Sequence, residues 1–229
     1  MADLGYIKSN FDSLASEISL LAEKAGRQVT LVCVTKSGSD EELLALAAAG
    51  ACNVGENRPG ELKRRGDLLT SAGYRPVLHE IGNLQRNKVR FIIDSVALIH
   101  SLDSLALAAE IDKQAKKVGR VVPVLIEINS AREEQKGGVL PEDAEDFLIQ
   151  LQQFSGISVR GLMTMGPVCE DPEEIRPYFR ETRLLFDRLN RTYGFEEGIL
   201  SMGMSDSYAV AIEEGSTLVR VGRRLFNKE

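Results

Sequence analysis

Histidine, paired cysteine, clustered charge and long apolar runs are all scarce in this chain, and each scarcity removes a class of function. His79 and His100 are the whole supply of imidazole, and neither stands at ligand spacing to a cysteine or to the other, so no structural metal is expected. Cys33, Cys52 and Cys169 are odd in number, far apart and in no C-x-x-C arrangement. That pattern suits neither a disulfide framework nor a redox pair, and it fits a reducing, cytoplasmic setting. No stretch is apolar for long enough to span a bilayer. The opening "MADLGYIKSNFDSLASEISLLAEKAG" alternates at helical spacing, without the continuous apolar core of a signal peptide. Net charge is −6 with the signs interspersed, and the densest basic run, "LKRR" at Leu62–Arg65, reads as a solvated helix face. Binding to nucleic acid or to an anionic membrane is therefore not expected.

What remains is an ordinary globular composition, 43% apolar and 27% charged over 229 residues, enough for a full hydrophobic core. Strand-like runs recur along the chain: "TLVCVT", "ACNVGE", "PVLHEIG", "ALIHSL", "VPVLIEIN", "SVRGLMTM", "GILSMGM" and "TLVRVG". Amphipathic stretches such as "DEELLALAAAG" and "DSLALAAEIDKQAKKVG" lie between them, several opening on Asp and ending at Gly. Near-continuous apolar strands alternating with helices mean a parallel sheet. About eight repeats in this length point to an α/β fold, a single-domain (β/α)8 TIM-type barrel over residues 1–229, with an extra N-terminal helix over 1–26. A doubly wound open sheet is the competitor. It calls for G-x-G-x-x-G after the first strand, and "TKSGSDEE" lacks that spacing.

In such a barrel, function gathers at the C-terminal ends of the strands. The first strand ends on Lys36, a costly place for an ammonium unless it snorkels to water or serves as an amine of lowered pKa in a partly desolvated pocket. The segment "SMGMSDS" offers Ser201, Gly203 and Ser205, with a helix expected to begin near Ser205 or Asp206. "TLVRVGRRLF" adds Gly222 and Arg223 before a short helical turn. Small hydroxyls, close-approach glycines and backbone N–H groups in those two places suit a phosphate. Arg220 alternates with Val219 and Val221, so its guanidinium points opposite to theirs and needs an acceptor. Barrel closure brings its strand beside that of Lys36. A reactive lysine, a phosphate cradle and an arginine for a ring nitrogen together suit pyridoxal 5′-phosphate (PLP).

With those segments, and with "GEN", "HEIGNLQRNK", "IHSLDS", "EINSAREEQKGG" and "RGLMTM", the chain resembles the pyridoxal phosphate homeostasis proteins, relatives of the alanine racemase N-terminal barrel, over nearly its whole length. The resemblance implies that Lys36 carries PLP as a Schiff base and that Arg220 faces the pyridine nitrogen. It places Ser201, Ser205 and Gly222 around the phosphate and Asn57 near the ring, with Lys136 as a second amine near the cofactor. The chain departs from the family pattern at Arg223, where a small or hydroxyl residue is frequent, and at Ser207 and Val210.

The reading that follows is a PLP-binding protein without catalysis of its own. It would hold PLP on Lys36, buffer free aldehyde and pass the cofactor transiently to PLP-dependent apo-enzymes, as a monomer by family analogy. An arginine beside the pyridine nitrogen disfavours its protonation and weakens the ring as an electron sink. Tyr6, Tyr74, Tyr178, Tyr193 and Tyr208 all fall outside the strands, and the chain ends shortly after the eighth, so the second domain that gives racemases their tyrosine base is not expected. The alternatives are a small PLP-dependent racemase or lyase, and a phosphate-ligand barrel without PLP.

Overall fold

The structure is a computed structural model that describes residues 4–228. Eight strands hydrogen-bond in chain order into one closed parallel barrel: β1 (Thr30–Val34), β2 (Asn53–Glu56), β3 (Val77–Glu80), β4 (Leu98–Leu102), β5 (Val122–Glu127), β6 (Ile157–Met163), β7 (Ile199–Ser201) and β8 (Leu218–Val221). All eight expected strands are present, and β8 closes on β1 with Arg220 opposite Val32. That closure excludes the doubly wound sheet. Around the barrel lie α1 (Gly5–Lys24), α2 (Asp40–Ala48), α3 (Pro59–Ser71), α4 (Leu105–Lys117), α5 (Ala144–Leu151), α6 (Arg176–Tyr193), α7 (Tyr208–Glu213) and α8 (Arg223–Phe226). Between β3 and β4 the crossover holds a 3₁₀ turn, Arg86–Phe91, in place of an α-helix.

Local chemistry sets the helix starts that matter for the site. Ser39 and Glu42 form a reciprocal capping box on α2, each side chain accepting from the other's backbone N–H. That fixes where the turn after β1 ends. Helix α7 begins at Tyr208, two to three residues past the start expected near Ser205 or Asp206. The Met204 N–H is bound to the Ser207 hydroxyl at 3.2 Å, which holds residues 204–207 as a turn.

Inside the barrel Val32, Leu98, Leu125, Met163 and Leu218 pack together, and a larger apolar layer separates strands from helices. Ile7, Leu14 and Ile18 of α1 bury against Cys33, Val219, Val221 and Leu225, so the N-terminal helix packs on its own barrel, beside α8. Each such side chain contributes about 2 kcal/mol. Residues 1–3 of the expected 1–26 helix lie outside the described residues. The basic run does not form a wholly solvated face. Arg64 is exposed, but the helical period turns Arg65 and Leu62 inward, and both are buried. Among the described residues no helix is long and apolar enough to cross a membrane.

Candidate functional site

Thr35 extends β1 by one ladder bond, its N–H donating to Gly55 O at 3.0 Å, and the chain then turns. Lys36 is the second residue of that turn, which the Gly38 N–H closes onto Thr35 O at 3.0 Å. The turn carries the side chain past the last ladder bond, so Lys36 is exposed at the barrel mouth rather than partly desolvated. Among the described residues its amine has no hydrogen-bond or ion-pair partner. A cavity of about 300 Å³ opens beside it, lined also by Glu56, Asn57, Arg58, Glu61 and Arg65.

Arg220 points into the barrel and is buried. Its Nη1 donates to the carbonyl of Ser201 at 3.0 Å and to the Ser201 hydroxyl, and its Nη2 donates to Thr164 O at 3.2 Å. Burial lowers its pKa to about 10, with the Glu127 carboxylate opposing the shift, so the guanidinium stays charged at neutral pH. Ser201, expected among the phosphate residues, has its hydroxyl committed here instead. It lies 3.0 Å from His100 Nδ1; His100 Nε2 lies 3.0 Å from His79 Nδ1, and His79 Nε2 lies 3.0 Å from Asn53 Oδ1.

This chain of bonds crosses the barrel interior from β8 to β2, and its ends assign the protons. A guanidinium can only donate and an amide oxygen can only accept. The hydroxyl therefore donates to His100, His100 donates through Nε2 to His79, and His79 donates through Nε2 to Asn53. Both rings are neutral in this assignment. Burial pushes His79 down to about 4; burial, then His79 and Arg220, pushes His100 well below its ordinary value. Both histidines sit in apolar strands, as Arg220 does, so the alternation that singled out Arg220 applies to them as well. Glu127 lies at the end of β5, and nothing local in the sequence sets it apart. Burial, helped by Asp103 and opposed by Arg220, raises its pKa to about 7.

The loops after β7 and β8 meet directly. Gly203 has φ +92, and a Cβ there would come 2.6 Å from the Ala211 Cβ; its carbonyl accepts the Arg220 N–H at 3.0 Å. Gly222 lies so close to β1 that a Cβ would sit 2.9 Å from Val34 O. Its N–H donates weakly, at 3.4 Å, to the Ser205 hydroxyl. The backbone N–H groups of Ser205, Asp206, Arg223 and Arg224 have no acceptor among the described residues. Arg223 is exposed and paired with Asp206.

Lys36, Ser201, Gly203, Ser205, Arg220, Gly222 and Arg223 thus come from three adjacent strands, β7, β8 and β1, and the loops that follow them. Asn57 follows β2 on the other flank of β1, exposed and bordering the Lys36 cavity. Lys136 is not beside Lys36. It lies on the loop after β5, four strands round the ring, where its amine donates to Glu133 at 2.7 Å and to Gly166 O at 3.5 Å.

Residues 9–228 match the family model described as the alanine racemase N-terminal domain. A pyridoxal phosphate homeostasis protein of Aquifex aeolicus is 42% identical over 214 residues, 92% of this chain and 93% of that one. A protein of the same name from Helicobacter pylori is 34% identical over 96% of this chain and 98% of its own. Among solved structures, PipY of Synechococcus elongatus with PLP bound superposes with a TM-score of 0.84 at 31% identity, covering 96% of this chain and all of that one. Barrel and relatives agree: the chain belongs to the pyridoxal phosphate homeostasis protein family, on the alanine racemase N-terminal-domain fold.

Proposed function

We propose that this protein binds PLP at the barrel mouth as a Schiff base on Lys36 and acts in PLP buffering and delivery, not in catalysis. The buried, charged Arg220 carries the reading. It is held from one side by Ser201 and Thr164, and it is a donor suited to a neutral ring nitrogen. The other residues fit the group as well. Four N–H groups without an acceptor among the described residues, with the Ser205 hydroxyl and the Arg223 guanidinium that pairs with Asp206, form a donor set for a phosphate. The Lys36 amine, without a partner among the described residues, stands in the turn after the adjacent strand, and Asn57 lines the cavity beside it. When bound, PLP supplies an aldehyde that condenses reversibly with an amine, releasing water.

This chain's own residues favour retention over carbanion chemistry. Arg220 disfavours a protonated ring nitrogen by like-charge repulsion. Three of the five tyrosines are held away from such a role. The hydroxyls of Tyr6, Tyr193 and Tyr208 donate to Glu42, Glu145 and Glu17 in the helix layer, and burial raises the pKa of each, that of Tyr6 to about 12. The names of the relatives point the same way. On this reading the protein is a cytoplasmic monomer that hands PLP to apo-enzymes, and Lys136, across the mouth, is a second amine for the departing cofactor.

The test mixes PLP-loaded protein either with an apo-enzyme that needs PLP or with amino acids in deuterium oxide. The expected result is stoichiometric reactivation of the apo-enzyme, with no amino acid exchanging its α-proton over many equivalents. Sustained α-proton exchange would establish a racemase or lyase instead.

A further inference from the structure

Lys36 owes its position to a turn, and that turn is held by a side chain to which the family comparison gives no role. The turn runs from Thr35 to Gly38. Both of its carbonyl ends are bound by one guanidinium: Arg65 donates from Nη1 to Thr35 O at 2.6 Å and from Nη2 to Gly38 O at 2.7 Å. Glu56 lies beside the guanidinium as an ion-pair partner: its Oε1 is 3.3 Å from Arg65 Nε, which makes no hydrogen bond among the described residues, and it accepts the Thr35 hydroxyl at 2.6 Å. Burial raises the Glu56 pKa, with the Thr35 hydrogen bond and the Arg65 charge opposing. The opposite side of the turn is closed by the C-terminal segment. A Cβ on Gly38 would fall 2.4 Å from the Phe226 ring, so glycine here lets that ring pack directly on the turn.

We infer that Arg65 is a positioning residue for Lys36: its two-carbonyl clamp, set against Phe226, fixes the direction in which the reactive amine leaves the barrel. This rests on Lys36 being the amine that takes PLP. The planar fork is what makes the clamp. A lysine at the same place keeps the charge beside Glu56 but has one nitrogen on a flexible stem, which cannot hold two carbonyls in fixed geometry. Arg64, the next residue, is no substitute, because it is exposed and paired with Asp40 and Glu61.

The experiment combines Arg65→Lys, Glu56→Gln and an Arg64→Lys control. Its readouts are the rate of borohydride-trapped PLP labelling at Lys36 across pH 6 to 9, with labels mapped by peptide mass spectrometry, and hydrogen exchange of the Gly38 amide in the unmodified protein. The clamp calls for roughly tenfold slower labelling of Lys36 and an altered pH profile in Arg65→Lys. Glu56→Gln, which leaves both carbonyl bonds in place, should lose less than Arg65→Lys, and Arg64→Lys should stay within about twofold of the native chain. The native Gly38 amide should exchange as slowly as the Thr35 ladder amide. Native-like labelling and pH profile in Arg65→Lys would overturn the inference, and so would an equal loss in Glu56→Gln. If Arg65→Lys does not fold, the native exchange experiment decides, and fast Gly38 exchange rejects the clamp. Absence of Lys36 labelling in the native chain would instead refute PLP attachment, while slow Gly38 exchange would still show a held turn.

Discussion

Ser201→Ala is the sharpest probe of the interior chain of bonds. It removes the hydroxyl that accepts from Arg220 and donates to His100, while leaving Arg220 its two carbonyls at 3.0 and 3.2 Å. One hydrogen bond from a charged donor is lost, worth about 1.5 to 3 kcal/mol, and a fully buried imidazole nitrogen is left without a donor, at about 1 to 3 kcal/mol. Relaxation recovers part of the sum, so the expected loss is about 3 kcal/mol. At about 2 to 4 °C per kcal/mol for a domain of this size, melting falls by about 6 to 12 °C. Urea unfolding measures it directly. A His100→Leu background separates the chain from its links. There the hydroxyl proton has already lost its acceptor, so Ser201→Ala should cost only about 1 kcal/mol, a coupling of about 2 kcal/mol. Additivity within about 0.5 kcal/mol, or a single-variant cost below about 1 kcal/mol, would refute the connected chain.

Two further outcomes follow from buried groups. Glu80 is fully buried, with Oε1 accepting the Gly82 N–H and Oε2 without a partner, and burial foremost raises its pKa from 4.5 to about 8. A raised folded pKa means a contribution fully present below pH 4.5 and lost as pH climbs towards about 8. His79, lowered from 6.5 to about 4, acts in the opposite sense below pH 6.5. Between about pH 6.5 and 8 Glu80 should therefore contribute a loss of up to about 2 kcal/mol, with Glu127 adding to it below about pH 7, and Glu80→Gln should reduce that slope. An unchanged slope in urea melts would reject the assignment. Gly203→Ala combines a φ of +92 with a Cβ 2.6 Å from Ala211; it should cost about 3 kcal/mol and release PLP faster on dialysis, and a cost under about 1 kcal/mol would contradict the packing.

Alternation within apolar strands made Arg220 legible from the sequence, because a guanidinium between two valines must find an acceptor. The same logic covers His79 and His100, which drew attention only as possible metal ligands. Alternation says which way a side chain points, not what it meets. Ser201 and His100 are 101 residues apart, and only closure of β4 and β7 into one ring joins them. Ser201 therefore reads as a phosphate residue in sequence and serves Arg220 in space. Arg65 was hidden for a related reason: within "LKRR" nothing local distinguishes the buried arginine from its exposed neighbour, and its partners belong to the turn after β1. The delayed start of α7 belongs to the turn before it, since the Ser207 hydroxyl takes the Met204 N–H and does not cap the helix.

Reductive trapping tests the central claim most directly. The protein is incubated with PLP, reduced with borohydride and mapped by peptide mass spectrometry beside Lys36→Ala. One pyridoxyl group on Lys36, absent from the variant, is the expected result. Labelling spread over surface lysines, or equal in the variant, would contradict the assignment of Lys36 and leave the barrel as a phosphate site without a covalent cofactor.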